Sequence, residues 1–164
     1  MISWRKAAQQ QSQKRRARVG EMRYLLDTNI CIYLIRQHPP QVLNKLESLF
    51  RGDVAMSVVT LAELRAGIEF HPTHRPQNEQ ALAALLEDIP ALPFTETEAL
   101  HYGMLRAAVR DRQRNALDRL IAAHAMSLGL TLVTNNEQDY LHYPNLLIEN
   151  WVNQVHDTST SYAP

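Results

Sequence analysis

The chain has 164 residues, with 17 basic and 17 acidic side chains, 45% apolar residues and 21% charged ones. That size and balance fit one soluble globular domain with its own core, and no apolar run approaches the roughly 20 residues of a membrane span. A single cysteine, Cys31, excludes an internal disulfide and fits a reducing, cytoplasmic setting, with the thiol read as part of the core.

The zero net charge hides an uneven distribution. Residues 1–21 carry six bases and one acid, which leaves the remainder five negative. This Gln-rich basic head lacks the apolar centre of a secretory leader. It reads as a disordered, solvated tail or as a stretch foreign to the native protein, with Met22 as an alternative start. The domain is expected over 22–152, and 153–164 reads as a loose tail.

Residues 23–27 predict the first strand. Helical spacing follows over 29–37, halted by Pro39 and Pro40, and again from Val42 to Phe50, stopped at Gly52. The β-branched run at 54–58 predicts the second strand, and 60–70 the next helix. Residues 71–76 read as a Pro-flanked loop, and Ala81, Leu82, Leu85 and Leu86 as a helix. The stretch 89–94, with two prolines, is at best a short edge strand. A long helix is expected over 95–113, with Thr95 as cap and Glu98 at capping-box spacing. Leu117, Leu120, Ile121, His124 and Leu128 line a further helix ended by Gly129. Strands at 130–134 and 146–148 complete the pattern, with Trp151 just beyond. Strands separated by helices imply a three-layer α/β/α sandwich around a mostly parallel sheet.

Three carboxylates hold matching positions. Asp27 closes the first strand. Glu63 is placed in the first turn of the helix after the second strand, and Asp118 in the first turn of the helix feeding the 130–134 strand. In a parallel sheet all three face the C-terminal edge, where open α/β sheets build their sites. Each also has a structural reading. Thr60 with Glu63 and Asn115 with Asp118 offer helix caps, and first-turn acids suit the helix dipole. Asp27 has no helix to serve before Thr28. Three negative charges on an apolar sandwich need a positive partner, so together they point to a hard divalent cation such as Mg²⁺ or Mn²⁺. Zinc spacing is absent: there is no CxxC or HExxH, His71 and His74 lack a third ligand, and His124 reads as a core histidine. Five glycines leave little room for a phosphate-binding loop.

The segments LLDTNICIYLI, SVVTLAELRAGIE, LDRLIAAHAMSLGLTLVTNN and YPNLLIENW, in this order over 22–151, resemble the PIN-domain ribonucleases, and within them the VapC-type toxins. The resemblance implies a Mg²⁺- or Mn²⁺-dependent endoribonuclease whose metal-binding and catalytic acids are Asp27, Glu63 and Asp118, with a fourth near Asn136. Of Asn136, Glu137 and Asp139, the fourth position is assigned to Asp139, an acid just before an aromatic. Thr28 with Asn29, and Thr134 with Asn135, match the polar pairs beside the acids. It further implies a toxin cutting tRNA or other structured RNA to inhibit translation, a homodimer, and a cognate antitoxin protein. Water attacking in line would leave 3′-OH and 5′-phosphate ends. The family's Gly- and Pro-containing loop before the third acid is replaced by 111–117, without glycine, and the basic head lies outside the resemblance, where an RNA-touching arm is its further reading.

Arg106, Arg110 and Arg114, four apart, with Arg112 and Arg119 nearby, are expected to form a positive rail for RNA or a solvated face balanced by Asp111. Besides a nuclease acting on structured DNA, whose relatives usually carry more acids and long added segments, two other functions compete. One is a non-catalytic PIN-like module that binds RNA or protein. The other is a haloacid-dehalogenase-type phosphatase, which needs a second Asp where this chain has Asn29.

Overall fold

The computed structural model describes residues 21–109 and 115–153. The expectations for the basic head, for Arg110, Arg112 and Arg114, and for the tail beyond 153 lie outside the described residues. Five short strands, Tyr24–Leu26 (β1), Val54–Ser57 (β2), Ala91–Leu92 (β3), Thr131–Val133 (β4) and Ile148–Glu149 (β5), pair in the order β3-β2-β1-β4-β5. All the pairings are parallel. The chain runs outward from β1 to β2 and β3, then returns to lay β4 on the other side of β1.

Strand alternation divides the core. Tyr24, Leu26, Val54, Met56 and Val133 point to one face, against Ile30, Leu34, Leu64, Ile68 and Leu82. These come from the helices Thr28–Arg36 (α1), Val58–Phe70 (α3) and Arg75–Asp88 (α4), and Pro40–Glu47 (α2) adds Val42 and Leu46. Leu25, Ala55 and Leu132 point to the other face, against Leu105, Ile121, Ala122 and Ala125 of Glu96–Ala108 (α5) and Ala116–Ser127 (α6). The expected three layers are present, and β3, between Pro90 and Pro93, is the edge strand that two prolines permit.

Four local expectations are corrected. Helix α3 starts at Val58 rather than Thr60, because Ser57 caps it by accepting from the Val59 N–H at 3.1 Å. Thr60 is therefore buried inside the helix, its hydroxyl donating to the Leu26 carbonyl at 3.4 Å, and Glu63 falls in the second turn instead of a capping box. Helix α4 starts at Arg75, since Pro76 occupies the first turn, where its fixed φ and missing N–H cost nothing. The 71–76 loop shrinks to a 3₁₀ turn at Pro72–His74. Helix α5 ends at Ala108, where Val109 leaves helical geometry at φ −119°, ψ 46°.

The capping box is formed as expected. The Thr95 N–H and hydroxyl donate to Glu98 Oε2 at 2.6 and 2.5 Å. Glu98 is buried and also accepts from Ser127 Oγ at 2.8 Å, which fastens α5 to α6. His124 is the satisfied core histidine expected, its Nδ1 2.9 Å from Ser57 Oγ and its pKa lowered by burial, with Glu98 acting in the opposite sense.

Candidate active site

The strand order reverses beside β1: connections leave β1 toward β2, while β4 arrives from the far side. Loops leaving the carboxyl ends of β1 and β4 therefore diverge, and a crevice opens between them. Asp27 follows β1 on one side of it, and Thr134 follows β4 on the other, with the Asp27 N–H donating to the Val133 carbonyl at 3.0 Å.

Asp27 keeps extended backbone at φ −76°, ψ 172°, and its carboxylate caps α1 by accepting from the Ile30 N–H at 3.0 Å. The sequence reading that gave Asp27 no helix to serve is corrected: the helix begins at Thr28, and Asp27 is its N-cap. The cap uses one oxygen direction and leaves the carboxylate its remaining lone pairs. Only 5% of Asp27 is exposed. Burial pushes its pKa up to about 6, against hydrogen bonds from the Thr134 side chain and Ile30 N–H that pull it down, with the charges of Asp118 and Glu63 pushing further up. The Thr134 oxygen also accepts from the Asn136 N–H at 3.0 Å, so one buried hydroxyl connects the loop after β4 to Asp27.

Glu63 arrives from α3, half-buried, and accepts a hydrogen bond from the Thr28 hydroxyl. Asp118 sits in the first turn of α6 and accepts from the Tyr140 hydroxyl at 3.3 Å. Burial raises its pKa, and Asp139 and Glu63 add to the rise while Tyr140 opposes it. Asn115, in the left-handed region at φ 63°, makes no side-chain cap, so the capping alternative for Asp118 fails. Asp139 lies on the four-residue helix Glu137–Tyr140 (α7) and accepts from the Asn136 side-chain amide. Of the three fourth-position candidates, Asp139 is the one coupled to Asp118; Asn136 supports it, and Glu137 turns to Asn150 at 3.3 Å.

Elements distant in sequence thus bring Asp27, Glu63 and Asp118 within electrostatic reach of one another, and Asp139 within reach of Asp118. Their hydrogen-bond partners are neutral groups, and among the described residues no Lys or Arg pairs with them. Carboxylates repel, and each is tied to its own donor; among the described residues no three of them close to cation-ligand spacing. The donor set is all hard oxygen, which fits Mg²⁺ or Mn²⁺ and not a soft metal.

Two arginine and tyrosine positions were misjudged from sequence or passed over. Arg119 is not a surface rail: it is 2% exposed and lies against Tyr102, 5.9 Å from the ring. Tyr140, noted in the sequence only as the aromatic after Asp139, is buried and reaches Asp118. The signal for it was the one-residue offset, because consecutive residues in a helical turn point about 100° apart, one to the crevice and one to the core. Beside the site, Asn135 donates from Nδ2 to the Tyr33 hydroxyl at 2.7 Å. Asn29, where a phosphatase of the haloacid-dehalogenase type needs an acid, is an exposed residue in the first turn of α1.

Next to Glu63 a groove of about 230 Å³ opens between α1, α3 and α4. Ile32, Ile35, Leu64 and Ile68 make it apolar, Arg36 and His71 edge it, and Gly67 leaves a gap in its wall.

Residues 24–144 match the family model for the PIN domain. The ribonuclease VapC2 of Rickettsia felis is 38% identical over 135 residues, covering 79% of this chain and 98% of that protein. The tRNA(fMet)-specific endonuclease VapC of Shigella flexneri is 35% identical over 133 residues, covering 79% and 98%. Among solved structures, VapBC2 from Rickettsia felis bound to a DNA fragment from its promoter aligns with TM-score 0.73 at 37% identity, over 79% of this chain and 99% of that one. VapBC-1 from nontypeable Haemophilus influenzae aligns at 0.72 with 33% identity, over 80% and 99%.

Proposed function

The chain belongs to the PIN-domain family, and on that premise we propose that it is a VapC-type endoribonuclease, the toxin of a toxin–antitoxin pair. The observation that supports the reading is the electrostatic coupling of Asp118 to Asp27, Glu63 and Asp139, none of the four with a cationic partner among the described residues. These four side chains would hold Mg²⁺ or Mn²⁺. Such a cation supplies a more acidic bound water and offsets the phosphate charge that the acids alone would repel.

The chain's own groups set up that site. The Thr28 hydroxyl orients Glu63, the Asn136 amide orients Asp139, and the Ile30 N–H and Thr134 hydroxyl fix Asp27. In the reaction, a water oxygen bonds to phosphorus, the bond from phosphorus to the 3′ oxygen breaks, and a proton passes to that oxygen. The products are 3′-OH and 5′-phosphate ends. We take the substrate class to be tRNA or another structured RNA, cut in the cytoplasm to stop translation. The relatives' names support this: one of them is a tRNA(fMet)-specific endonuclease.

The neighbouring structures are VapBC complexes, which supports an antitoxin partner for this chain. The apolar groove beside Glu63 is the surface we assign to it, since a segment lying there would cover the approach to the acids. Homodimerisation belongs to the same reading. Leu100 and Met104, one turn apart on α5 and 66% and 63% exposed, form an apolar strip that a second copy can cover.

The test is cleavage of total bacterial RNA with added Mg²⁺ or Mn²⁺, with product ends mapped. Asp27→Asn is expected to lower the rate by about a hundredfold or more. Equal cleavage by the variant and the wild type would refute the assignment, and wild-type protein that takes up no Mn²⁺ in calorimetry would favour the non-catalytic binding module.

A further inference from the structure

We propose that Tyr140 is a positioning residue for the metal site, its hydroxyl holding the Asp118 carboxylate in the orientation that a divalent cation needs. This rests on the cation site proposed above and adds a group to it. Helix α7 is four residues long, yet two of them face different tasks. Asp139 stands at the crevice with the Asn136 amide on its carboxylate. Tyr140 turns inward, 2% exposed, packs edge-on against Tyr143 with ring centroids 6.2 Å apart, and places its hydroxyl 3.3 Å from Asp118 Oδ1.

A buried aromatic at this place needs no hydroxyl for packing; a phenylalanine would fill the same volume. The hydroxyl is therefore the part to explain. Burying it without a partner would cost more than leaving it out, and the partner it finds is the third acid. A phenol at neutral pH has a proton to give, so toward a carboxylate it is a donor. A bond to Oδ1 fixes the rotation of the carboxylate and leaves Oδ2 for another ligand. At 3.3 Å the contact is longer than the usual O–H···O distance, which makes it an orienting contact rather than a neutralising one. Groups that orient ligands in this way typically change metal affinity by about 10- to 100-fold when removed. The long contact places Tyr140 at the lower end. The same short helix thus supplies one acid directly and steadies another through the neighbouring residue, which links the loop after β4 to α6.

The experiment is Mn²⁺ titration calorimetry on the wild type, Tyr140→Phe and Asp27→Asn, with the melting temperature of each metal-free protein. Tyr140→Phe is expected to bind Mn²⁺ about tenfold more weakly. Its metal-free melting temperature should stay near that of the wild type, and excess Mn²⁺ should restore its RNA cleavage without a change in KM for RNA. An unchanged Kd for Mn²⁺ overturns the proposal. So does a metal-free melting temperature lowered by more than about 5 °C, since the hydroxyl would then serve the fold. Wild-type protein that binds no Mn²⁺ at all overturns the cation site itself, and the proposal with it. Wild type and Tyr140→Phe binding alike, while Asp27→Asn does not bind, would leave the site standing and remove only the role given to Tyr140.

Discussion

Asp27 carries two duties that pull its charge in opposite directions. As the N-cap of α1 it is best ionised, yet its burial and the neighbouring Asp118 and Glu63 push its pKa up to about 6. The folded value exceeds the ordinary 3.8, so the folded protein binds the proton more tightly than the unfolded chain does. The cost of keeping Asp27 ionised, on the order of 3 kcal/mol, is fully present above about 6 and is relieved as pH falls toward 3.8. Protons and metal compete for the same oxygen atoms. Between pH 7 and 5 the metal-free protein is therefore expected to hold or gain melting temperature. Over the same range Mn²⁺ affinity should fall by about tenfold per unit below 6. Parallel loss of both quantities, measured by calorimetry and thermal melting in one buffer series, would sink this account. The position of Asp27 at a strand end was legible in the sequence; its capping was not, because helical spacing begins only at Asn29, whereas the helix itself starts one residue earlier, directly after Asp27.

At the scale of elements, the Thr95–Glu98 box shows how a local signal survives folding. Both partners lie within one turn, and the three-residue spacing alone fixes the geometry. Removing it with Thr95→Ala is expected to cost about 1 kcal/mol by urea melting. The hydrogen bond from Thr95 is the main reason Glu98 is held down at about 2, with burial opposing it and Ser127 assisting. Its folded pKa lies below the ordinary 4.5, so this contribution is present above 4.5 and is lost as pH falls toward 2; it should shrink in Thr95→Ala, where the backbone N–H and Ser127 still donate. Helix starts that depend on something other than the first turn were less legible. Pro76 looks like a breaker until Arg75 is seen beginning a helix, and Thr60 resembles a cap until Ser57 takes that position. Arg119 is charged and was expected outside; a Tyr102 ring and the α6 packing place it inside, a tertiary outcome without a local signature.

For the whole molecule, the sheet order was the least local property and the site depended on it. Alternating strands and helices gave three layers and placed three acids at one edge, but which strand lies beside β1 is decided by burial on both faces. The switch point follows from that choice. The groove between α1, α3 and α4 is a second product of the same packing. A Cβ at Gly67 would meet nothing within 4 Å, so the gap there is open space rather than a crowded turn. Gly67→Leu should be tolerated by the fold and should fill the groove. Antitoxin capture, read by calorimetry with the purified partner, is expected to weaken by about tenfold, while RNA cleavage by the free toxin stays unchanged. Loss of cleavage together with loss of capture would show that the groove belongs to the catalytic surface.

Placing β4 beside β1 also imposes an order of assembly on protein synthesis. A nascent chain that stops short of Asp118 holds Asp27 and Glu63 but neither Asp118 nor Asp139. The strand that frames the other wall of the crevice is still unmade at that point. The acid cluster is therefore completed only late in elongation, when the stretch from Asp118 to Asp139 joins a first half already made.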